Sequence, residues 1–183
     1  MKYPSFKMLP KFFSQKLFYK DVSKYLLIFF LLPCQELCAQ ELVERFYDWS
    51  LFKGKRINEE ICYLAATPMK VDGSYDKRGE PFFLVSSVKD DADEISVSSG
   101  FIYKASSNVE VSFGSKKFYL FPFDAMAWTN KKGDDIDILK EMQKASDLVV
   151  SGVTKDGKMA IDSYSLIGFV KAYRKMQEVC RVK

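Results

Sequence analysis

The sequence contains no histidine among its 183 residues. Because histidine is the usual base in Ser-His-Asp and Cys-His catalysis and a common zinc ligand, these enzyme classes and histidine-built metal sites are excluded. Residues 86–89 match the Ser-x-x-Lys pattern of penicillin-recognising enzymes, but the companion motifs are missing. The acids of residues 90–94 lack the spacing and central glycine of a calcium loop, which predicts a solvated turn. We therefore expect a protein that is not an enzyme and that holds no metal ion or cofactor.

The sequence also lacks an apolar run of the roughly 20 residues that cross a bilayer as a helix. The apolar run at residues 25–32 follows a lysine-rich beginning and precedes a short polar region that ends at Ala39. This order is typical of a secretory signal peptide. We predict that residues 1–39 are such a signal, cleaved after Ala39, and that residues 40–183 form one exported domain. A retained membrane anchor is the alternative.

The excess of positive charge is small and local. The chain has 28 basic and 24 acidic residues, a net charge of +4. Residues 1–39 hold more lysines than acids, and the rest of the chain is balanced. A neutral body does not favour nucleic acid as a partner, and contact with a membrane is expected only through the signal segment before cleavage.

Cysteine is scarce, and its positions are informative. Four cysteines are present, and two of them precede the predicted cleavage site. The remaining two, Cys62 and Cys180, are expected to form a disulfide in an oxidising compartment. The bond would close a long loop and contribute roughly 4–5 kcal/mol to the free energy of unfolding in the chain-entropy model. Two buried free thiols are the alternative.

Short β-like runs separated by turn signals fill most of the chain. Two of the turns are tight: Gly114-Ser115, and Asp156-Gly157, which is typical of a type I′ hairpin. The pattern predicts a mainly antiparallel, immunoglobulin-like β-sandwich. The predicted strands are residues 43–52, 61–71, 81–88, 94–103, 109–113, 117–123, 125–128, 147–153 and 159–164.

Apolar residues at helical spacing predict two helices. A short one at residues 134–145 has acids at its positive end, and a C-terminal one follows Ser165 and ends at Cys180. Trp49 and Trp128 are expected to pack against the disulfide, the commoner role of tryptophan in a small sandwich, and the alternative places them at an interface with a partner. Gly168 is expected at a position of close packing, since glycine in a helix costs stability relative to alanine.

The closing motif Asp162-Ser-Tyr164-Ser165-Leu166-Ile-Gly168-Phe169 with the terminal Cys180, together with Trp49, Cys62 and Trp128, resembles the invasion-associated locus B family of bacterial envelope proteins. The resemblance covers nearly all of residues 41–180. It implies an exported protein with an immunoglobulin-like sandwich, no catalytic activity, and in some members a link to entry into host cells.

The aromatic residues 118–123 allow two interpretations. Apolar character on both faces predicts a strand buried between a sheet and a helix. The alternative places Tyr119 and Phe123 on an exposed sheet edge, where Pro122 interrupts the ladder and a partner could add a strand.

Two functional hypotheses follow. The first is a non-enzymatic protein of the periplasm, outer membrane or cell surface, with an unidentified protein partner in the envelope or on a host cell. The second is a periplasmic, chaperone-like or envelope-maintenance factor with no role in invasion.

Overall fold

The computed structural model describes residues 40–56, 59–73, 77–87 and 93–180. The predicted signal peptide lies outside these ranges, so the cleavage site and the domain division at residue 39 stay predictions. The described elements are β1 (Glu41–Phe46), β2 (Trp49–Arg56), β3 (Glu59–Ala66), β4 (Lys70–Gly73), β5 (Phe82–Ser87), β6 (Glu94–Ser98), β7 (Val109–Phe113), β8 (Lys116–Phe123), β9 (Met126–Trp128), α1 (Lys132–Met142), β10 (Asp147–Val153), β11 (Met159–Ser165) and α2 (Phe169–Cys180).

The predicted fold class is confirmed: the protein is mainly β, sandwich-like and antiparallel, with a short helix and a C-terminal helix. The described strands follow one hydrogen-bonded order, β1-β2-β3-β5-β6-β9-β8-β7-β10-β11-β4. Alternating burial along β5 and β7 shows why these segments form strands, since every second side chain enters the core. The aromatic pair Phe83 and Tyr164, 5.8 Å apart between β5 and β11, joins the two layers across the interior.

Strand β8 carries the chain from one layer to the other. Residues 116–120 pair with β7, whereas residues 121–123 pair with β9. We call β1, β2, β3, β5, β6, β9 and residues 121–123 the first half-sheet. The second half-sheet comprises residues 116–120 with β7, β10, β11 and β4.

Several predicted boundaries are wrong for identifiable reasons. The predicted strand at residues 43–52 is a hairpin of two strands, because Tyr47 adopts a positive φ of 55° without a glycine to signal it. Trp49 therefore opens the second strand and Cys62 lies in the third. The run at residues 61–71 likewise divides into β3 and β4, and the run at residues 94–103 ends as a strand at Ser98, with Tyr103 in an isolated bridge.

The turn between β10 and β11 is not type I′. Gly157 has a φ of +82°, but Asp156 does not share a positive value. The backbone N–H of Thr154 donates to the Lys158 carbonyl at 2.8 Å, and the Gly157 N–H donates to the Thr154 carbonyl at 2.8 Å. This is a three-residue loop that ends in a left-handed glycine.

Helix α1 follows β9 in the chain after a short connection. Its Asp135 carboxylate accepts a hydrogen bond at 2.8 Å from the backbone N–H of Ile95, on the neighbouring strand β6. Near its other end, Glu141 pairs with Lys116 of β8 at 2.9 Å. The helix begins two residues earlier than predicted and ends at Met142, so Ala145 lies outside it.

Helix α2 packs on the inward face of the first half-sheet. Its last residue, Cys180, forms the predicted disulfide with Cys62 of β3, with a Cα–Cα distance of 6.1 Å. Gly168 precedes the helix rather than lying within it and has a φ of +90°. A Cβ atom there would collide with the carbonyl oxygen of Phe46, so the backbone before α2 approaches the end of β1 closely at Gly168.

Candidate interaction surface

The outward face of the first half-sheet carries large apolar side chains with serines such as Ser96 and Ser98 between them. Cα partners on antiparallel strands point to the same side of a sheet, so the register identifies this face. One row contains Phe52 opposite Tyr63. The next row runs through Leu84, Ser96, Trp128 and Phe121. A third row contains Phe82, Ser98, Met126 and Phe123.

We call this surface the aromatic face. Its large side chains are held against one another rather than extended into solvent. The rings of Phe52 and Tyr63 stack with centroids 5.2 Å apart, and those of Phe121 and Trp128 lie 6.0 Å apart. Partial burial raises the pKa of the Tyr63 hydroxyl. The aromatic face consists of Phe52, Tyr63, Phe82, Leu84, Phe121, Phe123, Met126 and Trp128.

The aromatic residues 118–123 fit neither interpretation of the sequence in full. Leu120 is buried, but Tyr119 is 52% and Phe123 is 65% exposed, so the strand is not covered on both faces. Strand β8 lies between β9 and β7 rather than at the end of the sheet, so the expected sheet edge is wrong. The exposure of Tyr119 and Phe123 is as the second interpretation expected, and their role in partner binding stays a prediction.

The outward face of the second half-sheet has a different chemistry. Lys117 of β8 pairs with Glu110 of β7 at 3.0 Å, and the neighbouring carboxylate raises the pKa of Lys117. At the far side, Lys70 and Asp72 of β4 lie 3.7 Å apart. Exposed apolar residues also occur on this half-sheet: Tyr119 is 52%, Met159 is 50% and Ile161 is 39% exposed. Charge and alternation make this half an ordinary solvated sheet face.

A buried ion pair joins the loop before β5 to β11. Both guanidinium nitrogens of Arg78 donate to the Asp162 carboxylate, at 2.9 and 2.8 Å, and Asp162 is fully buried. Arg78 also donates to the Ser99 carbonyl at 3.2 Å. The backbone N–H of Gly79 donates to the Gly100 carbonyl at 2.7 Å, so the loop is fixed at two adjacent residues.

Two tyrosines complete this polar cluster. The Tyr103 hydroxyl donates to the Ser99 hydroxyl at 2.7 Å, and burial raises the pKa of Tyr103 to about 12. The Tyr164 hydroxyl has no hydrogen-bond partner among the described residues. Burial, with the Asp162 carboxylate nearby, raises the pKa of Tyr164 above its usual value.

Sequence reasoning selected Asp162 as a motif residue but missed Arg78, which lies 84 positions away. One signal was available. Ala160, Asp162 and Tyr164 alternate along one strand on its buried face, and an acid there needs a cation or several donors. The alternation along β11 therefore predicts that a cation or several donors lie near Asp162, but it does not identify Arg78 as the residue that supplies them.

The other motif residues meet at the start of α2. The Trp49 indole N–H donates to the Ser165 carbonyl at 3.0 Å, and its ring lies 4.9 Å from that of Phe169. Trp49 and Leu166 are buried. Trp49 therefore joins β2 to the end of β11 and the first turn of α2. Trp128, in contrast, lies on the aromatic face, which corrects the expectation that it packs against the disulfide.

The predicted solvated turn at residues 90–94 is described only at its last two residues. There Asp93 is buried, which corrects the expectation for that position. Its carboxylate accepts hydrogen bonds from the Tyr173 hydroxyl at 2.6 Å and the Gln177 amide at 2.9 Å. Asp93 therefore fixes α2 to the start of β6.

The described ranges contain neither a cluster of metal ligands nor a helix that could span a membrane. No group of three or more acidic or cysteine side chains in the described part of the chain is arranged to hold a metal ion. Within the same residues, no helix has both the length and the apolar character to span a membrane.

The described chain is thus an antiparallel sandwich with a disulfide-anchored C-terminal helix and one apolar outward face. No protein-family model and no curated protein matches it. A solved structure does: invasion associated protein B from Bartonella henselae superimposes with a TM-score of 0.57 at 13% sequence identity. The match covers 77% of this chain and 98% of that protein. At this identity the likeness shows a shared fold.

Proposed function

We propose that this chain is an exported envelope protein of the invasion-associated locus B type, which acts through protein–protein contacts and not through catalysis. The observation that carries the proposal is the shared fold, since the match spans almost the whole of invasion associated protein B. The Cys62–Cys180 disulfide supports export, because such bonds persist in oxidising compartments and are rare in the cytosol.

The aromatic face supports action through contacts. Soluble monomers rarely expose contiguous apolar patches larger than a few hundred Å², and such patches usually mark interaction sites. Tyrosine, tryptophan, phenylalanine and methionine are the residues enriched in protein interfaces. All four types occur there, including Tyr63, Trp128 and Met126. The partner class we propose is a protein of the envelope or of a host cell surface.

The test begins with cells that make the protein naturally. The intact mass, taken without reduction after alkylation of free thiols, is expected to begin at Gln40 and to carry no alkyl groups. Fractionation is expected to place the protein in the periplasm or outer membrane. A full-length, alkylated protein in the cytoplasm would contradict export.

Crosslinking in the same cells, with and without host cells, tests the role. Recovery of a defined envelope or host protein, reduced in a Phe123→Ser variant, supports the proposal. Deletion of the gene separates the two functional hypotheses, because an envelope-maintenance factor predicts sensitivity to envelope stress in cells grown without any host. That phenotype with unchanged host entry would overturn the invasion role.

A further inference from the structure

We propose that the occupant of the aromatic face is a second copy of this chain, so that two first half-sheets pack face to face in a symmetric dimer. This inference goes beyond the proposed function, because it concerns the assembled unit and holds or fails wherever the protein is located. It rests on the size, chemistry and shape of the aromatic face.

The size of the aromatic face approaches that of a stable dimer interface. It crosses the six strands from β2 to β8 in the sheet order, which at a spacing of about 4.8 Å span roughly 24 Å. With the length of the outward rows, its footprint is on the order of 500 Å². The accessible surface of a corrugated face exceeds its footprint, and stable interfaces bury about 800 Å² per partner. A small peptide would leave much of this face exposed.

The chemistry is self-complementary. Among the described side chains, the charged residues of this face lie at its margins, with Arg45 on β1 and Glu94 at the start of β6. A two-fold axis through the centre therefore brings apolar side chains against their own kind and creates no repulsion between like charges. At the centre of the face, Leu84 lies between Ala65 and Ser96, and none of these described residues offers a charge that a charged partner could bind.

The shape favours another sheet. Strands twist with a fixed hand, so a sheet packs well against a second sheet of the same twist at an angle of about 30°. A copy of this face has that twist by definition. The same geometry already operates inside the molecule, where the inward faces of the two half-sheets meet at Phe83 and Tyr164.

The experiment is sedimentation velocity on the oxidised protein, expressed from the full 183-residue sequence, over a range of concentrations. The matched pair of variants is Phe121→Glu and Ile161→Glu, because both side chains are 39% exposed on outward faces of different half-sheets. Phe121→Glu is expected to raise the dimer Kd at least about tenfold, and Ile161→Glu is expected to leave it unchanged. If Phe121→Glu fails to fold, Phe123→Glu, at 65% exposure, takes its place.

Three outcomes overturn the inference. The first is a wild-type protein that stays monomeric up to about 100 µM. The second is a dimer that both glutamate variants, or neither, dissociate. The third is a monomer that sediments with vesicles of anionic phospholipid through Phe121, which would assign the face to a lipid surface. None of these outcomes bears on export, which the intact mass decides separately.

Discussion

Two buried clusters share strand β11, and they stabilise the fold by different interactions, one by aromatic packing and the other by an ion pair. The cluster at Trp49, Phe83 and Phe169 joins β2, β5 and α2 through aromatic rings 4.9–6.2 Å apart. The cluster at Arg78 and Asp162 fixes a loop through a bidentate ion pair. Tyr164 belongs to both, because its ring packs on Phe83 while its hydroxyl lies near the ion pair.

Because the interactions differ, the two clusters are expected to lose stability by different mechanisms when a residue is substituted. A ring that is removed leaves a cavity, whose cost depends on how far the neighbours relax. Removal of one ion leaves the other buried without this counter-ion, which costs more than the pair itself contributes. The polar cluster is therefore expected to be the more fragile of the two.

The largest effect is expected from Asp162→Ala. The substitution removes both carboxylate oxygens that accept from the buried Arg78 guanidinium, and we expect the free energy of unfolding to fall by about 3–5 kcal/mol. Urea denaturation of the oxidised protein measures the change. The control is the apolar double variant Arg78→Met/Asp162→Leu, which is expected to recover most of the loss. A single variant with a loss below about 1 kcal/mol would contradict the contrast between the clusters.

The aromatic cluster is tested by Phe169→Ala. Phe169 is fully buried against Trp49, and its truncation is expected to cost about 3–4 kcal/mol through lost burial and a residual cavity. The matched control is Val170→Ala, the next residue of α2, which is 41% exposed and is expected to cost under about 1 kcal/mol. Equal losses in urea denaturation would show that the helix is not held by this face.

The two tyrosines test the boundary between the clusters. Tyr103→Phe removes a buried hydrogen bond to Ser99 and is expected to cost about 1 kcal/mol. Tyr164→Phe removes a hydroxyl that has no hydrogen-bond partner in the described chain, so the expected cost at pH 7 is about zero. A larger loss for Tyr164→Phe would reveal a bound water or another partner at that oxygen.

Tyr103→Phe and Tyr164→Phe also test how the free energy of unfolding depends on pH. Both phenol pKa values are raised in the folded state, so above about pH 10 the unfolded chain loses protons that the folded chain keeps, and stability falls as pH rises. Each Phe variant is expected to make the decline between pH 9 and about pH 11 shallower. Urea midpoints across that range measure the slope.

The last variant is Asp135→Asn, for which we expect a small effect that depends on pH, because Asp135 is a buried acid. Burial raises the pKa of Asp135, although the Ile95 N–H lowers it. Below the usual carboxyl pKa of about 3.9 both states hold the proton, and stability is lost as pH rises through the raised value. The asparagine variant keeps an acceptor for Ile95 and is expected to gain on the wild type between pH 4 and pH 7. A constant difference over this range would contradict the assigned cause.

Much of the fold is predictable from local pattern. Alternation locates strands such as β7, the apolar stripe locates α2, and the count of cysteines after the predicted cleavage site predicts the disulfide. The sequence does not reveal the hairpin at Tyr47, because a positive φ in tyrosine has no compositional signal. Backbone approaches, such as Gly168 against Phe46, also depend on packing between distant segments.

The candidate surface is less predictable for a physical reason. Alternation shows that Phe121 and Phe123 share a face of β8, but it does not show whether another layer covers that face. The covering layer is fixed by the whole topology, in which α2 and the second half-sheet take the opposite side. Arg78 was missed for a related reason, since its partner comes from a strand far along the chain.

The disulfide also imposes an order on biosynthesis. Cys62 and Cys180 are separated by 118 positions, and the described chain between them includes eight strands and nearly all of both helices. Cys62 therefore has no native partner until α2 has been synthesised. The formation of this bond reports that the helix has reached its place against β3.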